Sequence, residues 1–289
     1  MAVFSLSNLK INNELYFPLI KKIFDIFSTE SKFSHATPHA IIQFLAAVAN
    51  LGDIEGLLSE HLLPLMHPRL LPIIDLLDSN SLVCLIWALN SLDSINEDTI
   101  QKALAAIKIE DLNPYEHYLL HMSLLNLEAL NKLTEESLQA GKEKRKKIKA
   151  NYTAFERKIV QDIHALDETN PGVRMTTQDA IFHIMNAMKS DKYSIQKDTI
   201  VGDIIVPLYI QALNTTIFVY SDECYLKNGK DLLGIFRMKE KVLKLKNPNM
   251  KAVNIPLREF INVEKTVNNI EDLHLARKLF VLKKIQEAI

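Results

Sequence analysis

Eight basic residues crowd into the 25 positions from 227 to 251: Lys227, Lys230, Arg237, Lys239, Lys241, Lys244, Lys246 and Lys251, with only Asp231 and Glu240 as acids. A second basic run, KEKRKKIKA, holds Lys142, Lys144, Arg145, Lys146, Lys147 and Lys149 against Glu143 alone. Side chains of this kind at this density suit the phosphates of a nucleic acid. A polyanion is the expected partner, and these fourteen residues are the candidate surface for it. Other chemistry has thinner support. His117 and His121 stand four apart, a spacing that can bind zinc on a helix, but Tyr118 follows His117 where a zinc-protease motif needs Glu. His61 and His67 lie near prolines and have no partner cysteines. No glycine-rich phosphate loop, nucleophile elbow or kinase motif set occurs, so no catalytic residue, metal ligand or cofactor is assigned.

The charge is unevenly placed along the 289 residues, whose net charge is −1. Residues 1–140 hold 8 Lys/Arg and 17 Asp/Glu, a balance of −9; residues 141–289 hold 26 and 18, a balance of +8. Such a split points to a polyanion bound by the second half, with mutual complementation of the two halves as the alternative. Composition is 48% hydrophobic with seven glycines and ten prolines, which favours a helical, well-filled core. Two cysteines give neither a disulfide framework nor a metal spacing, so a reducing compartment is expected. The longest apolar runs fall far short of a membrane span, so no membrane partner is expected. The first residues resemble neither a secretory leader nor a standard mitochondrial presequence, with no Arg before Arg69 and with Glu14 and Asp25 present.

The elements that must position these lysines are mostly helices. Residues 40–53, AIIQFLAAVANLGD, align without a gap on residues 81–94, SLVCLIWALNSLDS, at an offset of 41. Phe44 matches Leu85, Ala47 matches Ala88 and Leu51 matches Leu92. A weaker third copy begins at Tyr118, about 36 residues on. Between copies, HLLPLMHPRLLPIIDLLD supplies partner helices broken at Pro64, Pro68 and Pro72. A period near 40 is the mark of stacked helical pairs. A long basic helix is expected through residues 134–166, a turn at Asn170-Pro171-Gly172, and a helix over 178–188. Residues 199–260 change character. IVGDIIVP reads as a short strand stopped by Pro207, and LYIQAL and TTIFVY as a hairpin around Asn214. Residues 232–245 form a helix with Ile235, Met238, Val242 and Leu245 on one face, packed on the sheet, which leaves Arg237, Lys241 and Lys244 exposed. KAVNIP is a further strand, and residues 270–289 a final helix.

The run Asp203-Ile204-Ile205-Val206-Pro207, the hairpin, Gly234, the basic helix with Arg237 and Lys239, and Ile255-Pro256 closed by Glu259-Phe260 together resemble the RAP domain. That resemblance implies a restriction-endonuclease-like (PD-(D/E)XK) α/β fold over the last third of the chain, at the C-terminus of an organellar RNA-binding protein. The Trp87-Ala88-Leu89 core is similar to the octotricopeptide and FAST-kinase-like repeats that precede RAP domains. A nuclease of this fold needs carboxylates at the ends of adjacent strands to hold Mg²⁺, plus a nearby lysine. Asp203 matches the first carboxylate. The second strand departs from the pattern, with Phe218, Tyr220, Ser221 and Cys224 where polar positions belong. Asp222-Glu223 is close, but Tyr225 stands where the lysine should. Tyr220, Tyr225 and Phe236 could stack on bases, though aromatics in a small sheet more often belong to its core.

The resulting expectation is a mainly α protein: a helical repeat array over 1–140, a basic helical linker over 141–195, and a small endonuclease-like α/β domain over 196–289. Its expected role is non-catalytic binding of ribosomal RNA beside ribonucleoprotein proteins, as a subunit or assembly factor of the mitochondrial ribosome. An RNA-processing nuclease and a protein–protein adaptor are the alternatives.

Overall fold

The computed structural model describes residues 36–52, 63–148, 175–189, 193–226, 230–264 and 270–288, with the single positions 22 and 267. The part of the expected long basic helix beyond residue 148, the turn at 170–172, and Lys149 and Lys227 lie outside these residues. The chain is mainly helical, with one small mixed sheet towards its C-terminus. It divides into two compact units. One comprises Met1–Phe155 with Leu226–Val242, the other Glu156–Tyr225 with Leu243–Ile289.

In the first unit, α1 spans Pro38–Leu51, α2 Leu63–Ile73, α3 Ser79–Ser91, α4 Glu97–Ala106 and α5 Pro114–Ala129, followed by α6 over 135–148. The starts of α1, α3, α4 and α5 are written in polar caps. Thr37 Oγ1 accepts the Ala40 N–H, and 41 residues later Asp78 accepts the Ser81 N–H. Asn96 caps α4, and Asn113 with Glu116 forms a capping box on α5 behind Pro114. The ends correspond too. Gly52 takes φ +94° after α1, and Asp93, again 41 residues on, takes φ +54° after α3. Asn131 does the same after α5 (φ +52°). At α3 and α5 the closing bonds are those of a Schellman turn, Ser94 N–H to the Leu89 carbonyl and Lys132 N–H to that of Leu127.

α3 packs against both α1 and α5, while α2 packs against α4. Phe44 and Leu85, each the seventh residue of its helix, are both buried, as are Ala47 and Ala88. α5 is buried on all sides from Glu116 to Leu127. One polar pair is matched inside: Asn126 Nδ2 donates to Asn90 Oδ1 (2.9 Å), and Asn90 Nδ2 to the Ile86 carbonyl (2.8 Å). The prolines of α2 do not break it. The helix runs through Pro68 and Pro72 into a 3₁₀ turn at Ile74–Leu76. Pro64, Pro68 and Pro72 recur every four residues, so each missing donor faces the carbonyl of the preceding proline on one stripe. Pro68 and Pro72 are exposed, and water can serve those carbonyls.

The second unit holds α7 (Thr177–Lys189), β1 (Ile195–Val201), β2 (Ile204–Ile210), β3 (Thr215–Tyr220), β4 (Lys251–Pro256), α9 (Leu257–Glu264) and α10 (Ile270–Glu287). The intervening helix α8, Gly234–Lys246, starts in the first unit and ends in the second. The strands lie in the order β1-β2-β3-β4, with β1–β2 and β2–β3 antiparallel and β3–β4 parallel. IVGDIIVP is not one strand. Gly202 and Asp203, at φ +58° and +69°, form a two-residue hairpin turn between β1 and β2. Pro207 sits inside β2 and has no N–H to donate, and β2–β3 pairing covers only Leu208–Ile210. One sheet face, with Leu208, Ile217, Val219, Val253 and Ile255, forms a core with Ile184 of α7, Phe260 of α9 and Val281 of α10. The helices on this face are α7, α9 and α10. The basic helix α8 gives its residues 234–242 to the helical unit.

Leu85→Ala removes a fully buried side chain from a helix packed on two neighbours, and should lower unfolding free energy by about 2–5 kcal/mol. Denaturant titration measures it, with Leu76→Ala, at an exposed position, as the control expected to change little.

Candidate nucleic-acid interface

Arg237, in the first turn of α8, faces the end of α1. Its guanidinium donates to the carbonyls of Ala49 (2.9 Å), Asn50 (3.2 Å) and Leu51 (3.4 Å), and to Leu232 (2.8 Å) at the start of its own helix. Burial holds the guanidinium below the usual arginine range, with Asp231 pulling the other way. The expectation that Arg237 is an exposed phosphate ligand is therefore corrected: its donors are spent on the last turn of α1. One turn further, Lys241 bonds Asp93, the residue that ends α3. Lys239 is only 9% exposed. Lys246 lies 3.5 Å from the Asp203 carboxylate. Of the α8 cations, Lys244 is the exposed one; Lys251 opens β4, partly buried, and Lys230 is exposed.

The second basic run divides the same way. Lys144 donates to the Ile107 carbonyl (2.7 Å), the C-cap of α4. Burial lowers its pKa, neighbouring Lys147 lowers it further, and Glu110 opposes both. Arg145 bonds Glu128 in the last turn of α5 (2.6 Å). Lys142, Lys146 and Lys147 are exposed on α6. Lys142 and Lys146, four apart, share one helix face, with Lys147 and the exposed Glu143 on the adjoining one, so the outward cationic stripe is short. It is the only part of the run whose charges are turned outward among its described residues.

The carboxylates sit in turns. Asp203 is the second residue of the β1–β2 turn, and Asp222, just after β3, lies 3.5 Å from Arg258. Among the described residues no three His, Cys, Asp or Glu side chains converge as a metal site would require. His117 and His121 are buried in α5, where His117 Nε2 donates to the Ile109 carbonyl (3.3 Å). Tyr220 and Tyr225 are buried as well: Phe218 and Tyr220 stack at 5.6 Å, and Tyr225 meets Tyr220 edge-on. They serve a core and present no open ring face. Comparison with known proteins finds no family model that matches this chain and no curated protein that matches its sequence.

The two kinds of cation predict opposite outcomes. Lys142, Lys146 and Lys147 changed together to Gln should shift stability by no more than about 0.5 kcal/mol. Arg237→Gln removes the guanidinium donors from four carbonyls and should cost about 2 kcal/mol or more. Urea unfolding of the two variants checks both.

Proposed function

We propose that this chain is a non-catalytic RNA-binding protein of the RAP class that works in the mitochondrion, as a ribosomal-RNA-binding subunit or assembly factor of the mitochondrial ribosome. The observation that carries the RNA reading is the outward stripe of Lys142, Lys146 and Lys147 on α6, in a half-chain whose balance is +8. The repeat reading is supported by the 41-residue offset, which relates the caps, the buried positions and the ends of α1 and α3. The RAP reading rests on the order of its residues, from Asp203 to Phe260. A small mixed sheet with helices on one face is compatible with it.

The stripe limits what kind of recognition is possible. Three lysines can neutralise about three phosphates, so log affinity should fall by about 2 per log unit of salt on single-stranded RNA. Filter binding across a salt series measures that slope. Changing Lys142, Lys146 and Lys147 to Gln should flatten it and weaken binding, while Lys102→Gln, whose amine already pairs with Asp75, should not. Equal binding by the two variants would overturn the assignment. Absence of salt-sensitive binding, even within the native particle, would favour the adaptor alternative. Cleavage of RNA in Mg²⁺ that Asp203→Asn abolishes would favour the nuclease.

A further inference from the structure

The end of α1 and the start of α8 fit as a socket and plug that glycines on both sides make possible. A Cβ on Gly234 would lie 2.4 Å from the Ala49 carbonyl oxygen and 3.0 Å from the Asn50 Cα. A Cβ on Gly52 would lie 2.9 Å from the Arg237 guanidinium, and φ there is +94°. Neither contact leaves room for a side chain. Into this space Arg237 sends donors to three successive carbonyls of a segment some 186 positions earlier in the chain. Lys241, on the same face one turn later, reaches Asp93 at the equivalent end of α3.

α1 and α3 lack what these cations supply. Neither has a basic residue in its last turn, and Asp93 adds a negative charge where the helix dipole is already negative. The guanidinium bonds the last carbonyls of α1, and the ammonium meets the Asp93 carboxylate beyond α3, so both offset the negative charge of a helix end. We infer that residues 230–242 are a latch: the C-terminal halves of α1 and α3 reach their native protection only when this downstream segment is docked. The helical unit is thus completed from beyond the β-hairpins, and it stays incomplete until that segment is in place. This inference is independent of RNA binding.

The test is amide hydrogen exchange on the full-length protein. Gly234→Ala obstructs the plug, and Arg237→Lys keeps the charge while losing the fork that spans several carbonyls. Both should speed exchange of the last-turn amides of α1, including that of Gly52, by about tenfold or more, with α7 amides within about twofold of the unaltered protein. Lys241→Gln should speed exchange at Leu92 and Ser94 and leave α1 unchanged. Unaltered α1 exchange in both Gly234→Ala and Arg237→Lys would overturn the latch. So would equal acceleration in α7, since that marks general destabilisation. If Gly234→Ala fails to fold, Arg237→Lys decides alone.

Discussion

A helix ends in carbonyls with no partner and a partial negative charge, and it is strongest when a cation meets that end. None of α1 to α5 carries a basic residue in its own last turn. The cations come from two later helices. Arg237 of α8 meets the end of α1, and Lys241 meets Asp93 beyond α3. Lys144 of α6 meets the C-cap carbonyl of α4, and Arg145 meets Glu128 in the last turn of α5. Four of these helices are thus finished by side chains from elsewhere in the sequence. The pairs differ in weight. Lys241–Asp93 is largely exposed and worth little alone, since solvent screens it. Arg237 and Lys144 are sheltered and bond carbonyls directly, so their loss leaves unpaired groups in a poor solvent.

This reorders the meaning of the charge split. A −9 segment followed by a +8 segment resembles a protein divided between an acidic scaffold and a polyanion-binding face. Part of the positive excess is spent closing the acidic helices, and part faces water. The dividing line runs through single helices. On α6, Lys144 and Arg145 point inward while Lys142, Lys146 and Lys147 point outward. On α8, Lys239 is buried, Arg237 and Lys241 are spent on the ends of other helices, and Lys244 is exposed. A polyanion would meet fewer charges than a count along the sequence offers, and they would be chiefly lysines, which act as point charges without a planar fork.

Much of this architecture was legible in the sequence because it is local. Apolar periodicity in α1, α3, α7 and α10 and the αL-prone Asn214 each depend on neighbours within a few residues. The Gly202-Asp203 turn was hidden inside a β-branched run that reads equally well as one strand. α9 was hidden in eight residues after Pro256, too few to show a period. The role of Arg237 was hidden for a different reason. Its position off the apolar face of α8 is what a solvated or phosphate-binding residue would show, and its partners are about 186 residues away. One signal was available: two of only seven glycines, Gly52 and Gly234, stand at the end of one helix and the start of another. Glycine scarcity makes such positions informative about close approach.

The same constraint bears on how α8 can be amphipathic on two sides at once. Periodicity assigns Met238 and Val242 to a buried face, and both are buried. Arg237 and Lys241 lie one residue before them, on the adjoining strip, and the helix ends of α1 and α3 occupy that strip. An arginine stem is long and apolar, so it packs while its head finds polar partners. A helix can therefore bury more than its hydrophobic stripe when its neighbour presents carbonyls in place of side chains. Helix ends do this, and helix flanks do not. That geometry explains why a basic face, usually the mark of solvent or nucleic acid, becomes here an internal surface at Arg237 and remains external at Lys244.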